Sequence, residues 1–82
     1  MTPIHDLLHR IQWDPEFGSA AFEIGYVDRM AGGTVRVPFR DVRLDHGQLV
    51  LQNAFEEDGS HATVPLHRVR KVWRDGQLIW ER

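Results

Sequence analysis

The hydrophobic positions of this chain follow a helical period first and an alternating period afterwards. Near the N-terminus, apolar residues recur at i, i+3, i+4 and i+7, which makes one apolar helix face: Ile4, Leu7, Leu8 and Ile11. Thr2 precedes this run as an N-cap, and Pro3 follows as the first helical residue. Pro15 ends the run, because proline drives the residue before it out of the α region. The pattern predicts one N-terminal helix.

From residue 21 onward, short runs alternate between apolar and polar side chains, which is the period of β-strands. In the first run Phe22, Ile24 and Tyr26 share one face. Asp75-Gly76 separates the last two runs and is the strongest hairpin signal in the chain. Residues 40–44 are predicted to form a short helical turn. The predicted strands are residues 21–29, 35–39, 48–52, 62–65, 70–74 and 77–81.

These elements predict an α+β fold. One N-terminal helix packs on a small, mainly antiparallel sheet of five or six strands, with curling into a partial barrel as an option. The strand register stays open at two places. Around His67 the alternation changes phase, which a β-bulge near that residue would explain. In the last hairpin, either Val72 faces Leu78 or Trp73 faces Ile79.

Composition and charge narrow the class of protein. The 82 residues, 41% of them hydrophobic, suit one domain spanning residues 1–82. The sequence contains no cysteine, so it has no disulfide and no thiolate metal site, as expected for a cytoplasmic protein. A net charge of −2 argues against binding long nucleic acid, DNA included, through a broad basic surface. No apolar run approaches the ~18 residues of a membrane span, so we expect no membrane partner.

The candidate chemistry concentrates in residues 64–70, where Pro65 stiffens the backbone just before His67 and Arg68. Asp28 and Arg29 stand where the first predicted strand ends, and two strand ends can lie side by side in a small sheet. Arg29 and Arg68 would then clamp a phosphate, with His67 as a further donor. Asp28 would orient an arginine or accept from a ribose hydroxyl. The alternative is a buried ion pair between Asp28 and Arg68.

Four stretches of the chain, in this order and spacing, resemble the RNA cyclic-group-end-recognition domain family over nearly the whole length. The chain departs from the family pattern at His9, where asparagine is expected. The matching stretches are Leu7-Leu8-His9-Arg10-Ile11-Gln12-Trp13-Asp14-Pro15, Gly25-Tyr26-Val27-Asp28-Arg29, Val64-Pro65-Leu66-His67-Arg68-Val69-Arg70 and Ile79-Trp80-Glu81-Arg82.

The resemblance implies a non-enzymatic module that binds an RNA 3′ end carrying a 2′,3′-cyclic phosphate, in RNA processing or repair and beside an RNA-processing enzyme. It implies no catalytic residue, cofactor or metal. Tyr26 and Trp13 would be stacking platforms for the terminal base, with core packing as the alternative for both. The implied RNA-end-binding residues are Asp28, Arg29, His67, Arg68, Tyr26 and Trp13.

Two other functions stay open. A cyclic phosphodiesterase would use His67 as acid or base, with His61 or His5 as its partner. A protein-interaction module would instead use strand edges and exposed tryptophans such as Trp73 or Trp80.

Overall fold

A computed structural model describes residues 3–30 and 32–82. Within these residues one helix is followed by seven strands, and three short 3₁₀ turns lie between the elements. The elements are helix α1 (Ile4–Trp13) and strands β1 (Phe22–Asp28), β2 (Gly33–Pro38), β3 (Val42–Asp45), β4 (Gln48–Phe55), β5 (His61–Pro65), β6 (Val69–Arg74) and β7 (Gln77–Glu81). The 3₁₀ turns are Phe17–Ser19, Phe39–Asp41 and Leu66–Arg68.

The strands form two antiparallel sheets, one of four strands in the order β2-β1-β6-β7 and one of three in the order β3-β4-β5. The α+β class and the packing of the N-terminal helix on a sheet are confirmed. The sequence pattern does not predict strand β3, because it favours a helical turn over residues 40–44. Only Phe39–Asp41 forms that turn, and Val42 and Leu44 then alternate into the core.

Helix α1 ends as Pro15 predicts, because Asp14 leaves the helical region just before that proline. The predicted start is wrong by one residue: Pro3 has an extended backbone (ψ 141°) and takes the N-cap position, so Ile4 is the first helical residue. The Asp14 carboxylate then accepts hydrogen bonds from the backbone N–H groups of Glu16 and Phe17, which starts the next turn. The predicted N-cap Thr2 lies outside the described residues. No helix within residues 3–30 and 32–82 has the length and apolar character needed to cross a membrane.

The hydrophobic core lies between α1 and the inner faces of the two sheets. The predicted apolar faces of α1 and β1 are both confirmed, and the bulged strand β6 contributes two fully buried valines. Burial of these side chains is the main term that favours folding. The core residues are Leu7, Leu8, Ile11, Phe22, Ile24, Tyr26, Val42, Leu44, Leu49, Val64, Val69, Val72 and Trp80.

The side chain of Gln12 ties the helix to the edge of the three-stranded sheet. Its amide oxygen accepts from the backbone N–H of Leu44 (2.7 Å), and its amide nitrogen donates to the carbonyl of the same residue (3.2 Å). The amide thus imitates a neighbouring strand and satisfies one residue of the exposed β3 edge. This pair of bonds fixes the last turn of α1, where Trp13 lies, against β3.

A β-bulge in β6 resolves the first open register. Gly25 of β1 pairs with Lys71, and the next residue, Tyr26, pairs with Val69, which leaves Arg70 as the extra residue. Val69 and Val72 can therefore both face the core although they are three residues apart. The bulge lies at Arg70 and not at His67, whose segment forms a 3₁₀ turn.

The last hairpin turns at Asp75-Gly76, as predicted, with both residues in the left-handed region (φ 49° and 84°). Neither predicted pairing across it occurs. Val72 pairs with Trp80 and Trp73 with Leu78, because a second bulge leaves Ile79 unpaired in β7. Trp80 is consequently buried, at 8% exposure, and offers no surface to a protein partner.

Trp73 is half-buried on the outer face of the four-stranded sheet. Its ring fills the space above Gly25, where an added Cβ would come within 2.9 Å of it. The Arg36 guanidinium covers the ring from 3.9 Å and donates two hydrogen bonds to Glu23, and these bonds lower the pKa of the Glu23 carboxyl. Trp73 is thus occupied within the sheet, which removes it as an exposed contact residue.

We expect Gln12→Ala to lower the free energy of unfolding by about 1–2 kcal/mol, because both backbone groups of Leu44 lose their partner. Urea denaturation measures the change, and Gln77→Ala in the exposed last hairpin is the matched control. A loss no larger than that of the control would contradict the role assigned to Gln12.

Candidate functional site

A small cleft opens where the end of β1 meets β4, β5 and the 3₁₀ turn Leu66–Arg68. We call it the β1 cleft. Its volume is about 220 Å³, and its wall combines apolar residues with five polar or charged side chains, Tyr26, Asp28, Glu56, Thr63 and Arg68. The volume is below the usual range for a complete drug-sized ligand, so the cleft suits a smaller group.

The turn that carries Arg68 is held by two other arginines. Pro65 keeps the backbone extended into the turn. Arg70 donates to the carbonyl of His67 (3.0 Å), and Arg82 donates to the carbonyls of Leu66 (3.0 Å) and Val69 (3.2 Å). Three charge-assisted hydrogen bonds therefore hold the backbone around Arg68.

The Arg68 side chain is half-buried in the wall of the β1 cleft. Among the described residues it has no carboxylate partner and no hydrogen bond, and the ion pair with Asp28 that the sequence left open does not form. Its planar fork of donors is therefore available to a ligand in the cleft.

Asp28 combines a structural task with its place in the cleft. Its carboxylate accepts from the backbone N–H of Met30 (2.8 Å), and its carbonyl accepts from Gly32 (3.0 Å), which fixes the turn after β1. A carboxylate has about four acceptor positions, so the bond from Met30 is compatible with further hydrogen bonds to the same group.

Tyr26 lies in the core and lines the cleft with only part of its surface, since its exposure is 7%. Core packing is confirmed for this residue, and its ring has too little free surface for a base to stack on it. Burial raises the pKa of the Tyr26 phenol, and the neighbouring Asp28 carboxylate raises it further. The phenol therefore stays protonated around neutral pH and can donate a hydrogen bond.

The other three residues implied by the resemblance do not line the β1 cleft. Arg29 is exposed in the turn after Asp28, and His67 is exposed in the turn before Arg68. Each is thus one residue away from a cleft residue. Trp13 lies in a different cavity beside α1, and core packing is wrong for it, because its side chain is 66% exposed.

Two larger cavities flank the helix. One, of about 460 Å³, is mostly apolar. The other, of about 760 Å³, is lined by Trp13, Arg40, Arg43 and Gln52 among others, and we call it the helix cleft. By volume these cavities exceed the β1 cleft. We nevertheless place the candidate site in the β1 cleft, because only there do a carboxylate, a phenol and a guanidinium from the matching stretches converge.

The sequence pattern ends the fourth strand at residue 52 and does not predict that the segment after it contributes to the site. Strand β4 extends to Phe55, whose 62% exposed ring packs on His61 with 4.8 Å between ring centroids. Glu56 follows and lines the β1 cleft. The one available signal was Phe55 itself, a large apolar residue within a polar stretch.

His5 and His9 stack on the helix surface with 6.0 Å between their rings. Within residues 3–30 and 32–82, no group of three potential metal-ligating side chains is found. No histidine lines any of the three cavities described above.

A comparison with the profiles of protein families shows the family of this chain. The family profile of the MJ1316 RNA cyclic group end recognition domain matches residues 1–82, the whole chain. The chain belongs to this family. The resemblance drawn from the four sequence stretches is therefore confirmed. No solved structure matches the chain. As a member of the RNA cyclic group end recognition family, the chain is associated by that name with the recognition of RNA ends.

The raised pKa of Tyr26 gives a direct test of the cleft geometry, because the chain has one tyrosine. Alkaline titration of phenolate absorbance should give a midpoint above about 10. Asp28→Asn should lower the midpoint only partly, since burial is the larger cause. The same shift makes stability depend on pH. Because folding raises the pKa of the Tyr26 phenol, its contribution to the free energy of unfolding is fully present below the unfolded-state pKa, and it is lost as the pH rises through the folded-state pKa.

Asp6→Asn, which removes an exposed carboxylate from α1, is the charge-matched control. Equal midpoints for Asp28→Asn and wild type would mean that Asp28 does not approach the phenol.

Proposed function

We propose that the β1 cleft binds the 3′ end of an RNA that carries a 2′,3′-cyclic phosphate. Family membership supports recognition of RNA ends. The observation that carries the finer proposal is the Arg68 guanidinium, which lines the cleft without an ion pair among the described residues. This guanidinium can bind one phosphate, and the carboxylates of Asp28 and Glu56, which also line the cleft, disfavour an anion of higher charge.

In this proposal the Arg68 guanidinium binds the non-bridging oxygens of the cyclic phosphate. Its fork of N–H donors matches the geometry of phosphate oxygens, and its half-buried position strengthens the interaction by reducing competition from water. The turn held by Arg70 and Arg82 limits the motion of Arg68. The neutral phenol of Tyr26 supplies a further donor at the same wall.

The two carboxylates explain selection of the cyclic end. A cyclic phosphodiester carries a single negative charge, whereas an open terminal phosphate carries close to two at neutral pH. Asp28 and Glu56 repel both, but they repel the dianion more strongly. Arg68 alone cannot neutralise a dianion, so the open 3′-phosphate is disfavoured.

Asp28 also has a role in distinguishing RNA from DNA in this proposal. The terminal ribose has no free 2′-hydroxyl once the cyclic phosphate has formed, but the nucleotide before it keeps one. That hydroxyl can donate to the Asp28 carboxylate, and DNA lacks the group.

Arg29 and His67 lie outside the cleft and beside its residues Asp28 and Arg68. We propose that these two exposed side chains contact the next phosphate of the strand, where an exposed contact is weak and dependent on salt. We further propose that the protein acts in cytoplasmic RNA processing or repair, as a recognition module beside an RNA-processing enzyme. The sequence without cysteine agrees with that compartment.

Arg68→Ala should weaken binding of an RNA with a cyclic end by about 10- to 100-fold, because a charge-assisted interaction with phosphate is lost. The measurement is a titration with matched short RNAs that end in cyclic phosphate, 3′-phosphate or hydroxyl. Arg74→Ala, which removes an exposed cation that lines neither named cleft, is the control. An unchanged affinity in Arg68→Ala would reject the site.

Product analysis of the same samples tests the rival enzyme. A cyclic phosphodiesterase converts the cyclic end, and His67→Ala would abolish that turnover. The exposed position of His67 outside the β1 cleft favours binding without turnover.

Glu56→Gln should lower the ratio of the affinity for the cyclic end to the affinity for the 3′-phosphate by roughly two- to fivefold. Loss of the Glu56 charge removes more repulsion from the 3′-phosphate, which carries close to two negative charges, than from the cyclic phosphate, which carries one. The ratio of the two affinities, measured at low ionic strength, checks this. Glu57→Gln removes the neighbouring exposed charge, which does not line the cleft, and should leave the ratio closer to wild type. Equal ratios in wild type and both variants would contradict the charge argument.

A further inference from the structure

The helix cleft has an unusual exposed aromatic residue at its margin. Trp13 is 66% exposed at the end of α1, although tryptophan side chains are largely buried on average. The bonds of Gln12 to Leu44 fix this end of the helix, and the His9 ring lies 6.3 Å from the indole ring. Trp13 is therefore a flat apolar surface that faces solvent from a supported position.

Two exposed arginines line the same cleft, Arg40 from the turn Phe39–Asp41 and Arg43 from β3. Arg40 has no ion pair among the described residues, and Arg43 reaches only Asp45, at 3.9 Å. The protein itself therefore leaves most of the donors of both guanidinium groups unused.

An aromatic platform beside guanidinium groups with unused donors has the chemistry that single-stranded nucleic acid requires. Bases stack on the ring, and phosphates bind the cations. We propose that the helix cleft is a second RNA-binding site, which holds nucleotides on the 5′ side of the end bound in the β1 cleft. This inference rests on the proposed function, and it gives Trp13 an internal base as its ligand in place of the terminal base.

Strand β4 lies between the two clefts. Leu51 lines the β1 cleft and the next residue, Gln52, lines the helix cleft; because successive side chains of a strand point to opposite faces, the clefts lie on opposite sides of β4. The protein measures 36 × 24 × 20 Å, so a short oligonucleotide can contact both clefts. The acidic turn at Glu56, Glu57 and Asp58 follows the far end of β4 and repels a strand leaving in that direction.

The proposal predicts effects that depend on RNA length. Trp13→Ala should weaken binding of an eight-nucleotide RNA with a cyclic end by roughly 5- to 100-fold, the range for loss of one stacked base. The same change should leave binding of a nucleoside 2′,3′-cyclic phosphate unchanged, since that ligand fills the β1 cleft alone. Because Trp13 is exposed, the variant should also keep its stability, which urea denaturation checks.

The arginines are tested by the salt dependence of binding. For single-stranded RNA, the logarithm of the affinity falls with the logarithm of salt concentration by about 0.7 for each phosphate contact. Removal of Arg40 and Arg43 together should reduce the slope for the eight-nucleotide RNA by about 1.4. Lys71→Ala with Arg74→Ala removes the same charge from β6, lines neither cleft, and should change the slope less.

The outcomes separate this proposal from the function on which it rests. Losses confined to the longer RNA, with the preference for the cyclic end intact, support the helix cleft as a second site. The proposal is overturned if the helix-cleft variants show the same salt-dependence slopes and RNA affinities as the control variant. An acidic protein segment then becomes the candidate ligand of the helix cleft. If instead the proposed function fails, Arg68→Ala does not weaken RNA binding, and the wild-type protein binds all three types of RNA end equally. Both results are independent of what the helix-cleft variants do.

Discussion

The arrangement of this protein depends on one irregularity in strand pairing, the bulge at Arg70 between β1 and β6. A regular ladder would have turned either Val69 or Val72 away from the core, and both are completely buried. The bulge absorbs one residue and frees the Arg70 side chain to donate to the carbonyl of His67. A requirement of core packing thus also shapes the turn that carries Arg68.

The C-terminal strand serves the same turn from a distance in sequence. Trp80 is buried opposite Val72, which docks β7 on the sheet and brings Arg82 to the carbonyls of Leu66 and Val69. Arginine suits this task, because one guanidinium group can donate to two carbonyl oxygens at once. The closing stretch of the family pattern therefore acts on the candidate site through the backbone and does not line the cleft.

The charges in the β1 cleft are few and of mixed sign, which agrees with the slightly negative net charge of the whole chain. In the proposed function, affinity for RNA does not come from a broad basic surface. In the same proposal, the half-buried Arg68 supplies specificity for the end, and a separate surface supplies affinity for the strand. This division differs from that of proteins whose affinity comes mainly from many phosphate contacts.

The sequence by itself determined the helix, the apolar faces of α1 and β1, the hairpin at Asp75-Gly76 and the family. These features depend on residues close together in the chain, on period and on turn chemistry. Only the tertiary structure decided that Arg68, Asp28 and Tyr26 share a cleft while Arg29 and His67 stay outside it, and that Trp13 lies elsewhere. It also showed that residues 42–45 form a strand and that Glu56 lines the cleft. Such facts depend on strand register and on contacts between distant segments. The change of phase near His67 indicates a bulge, but only the pairing of β1 with β6 places it at Arg70.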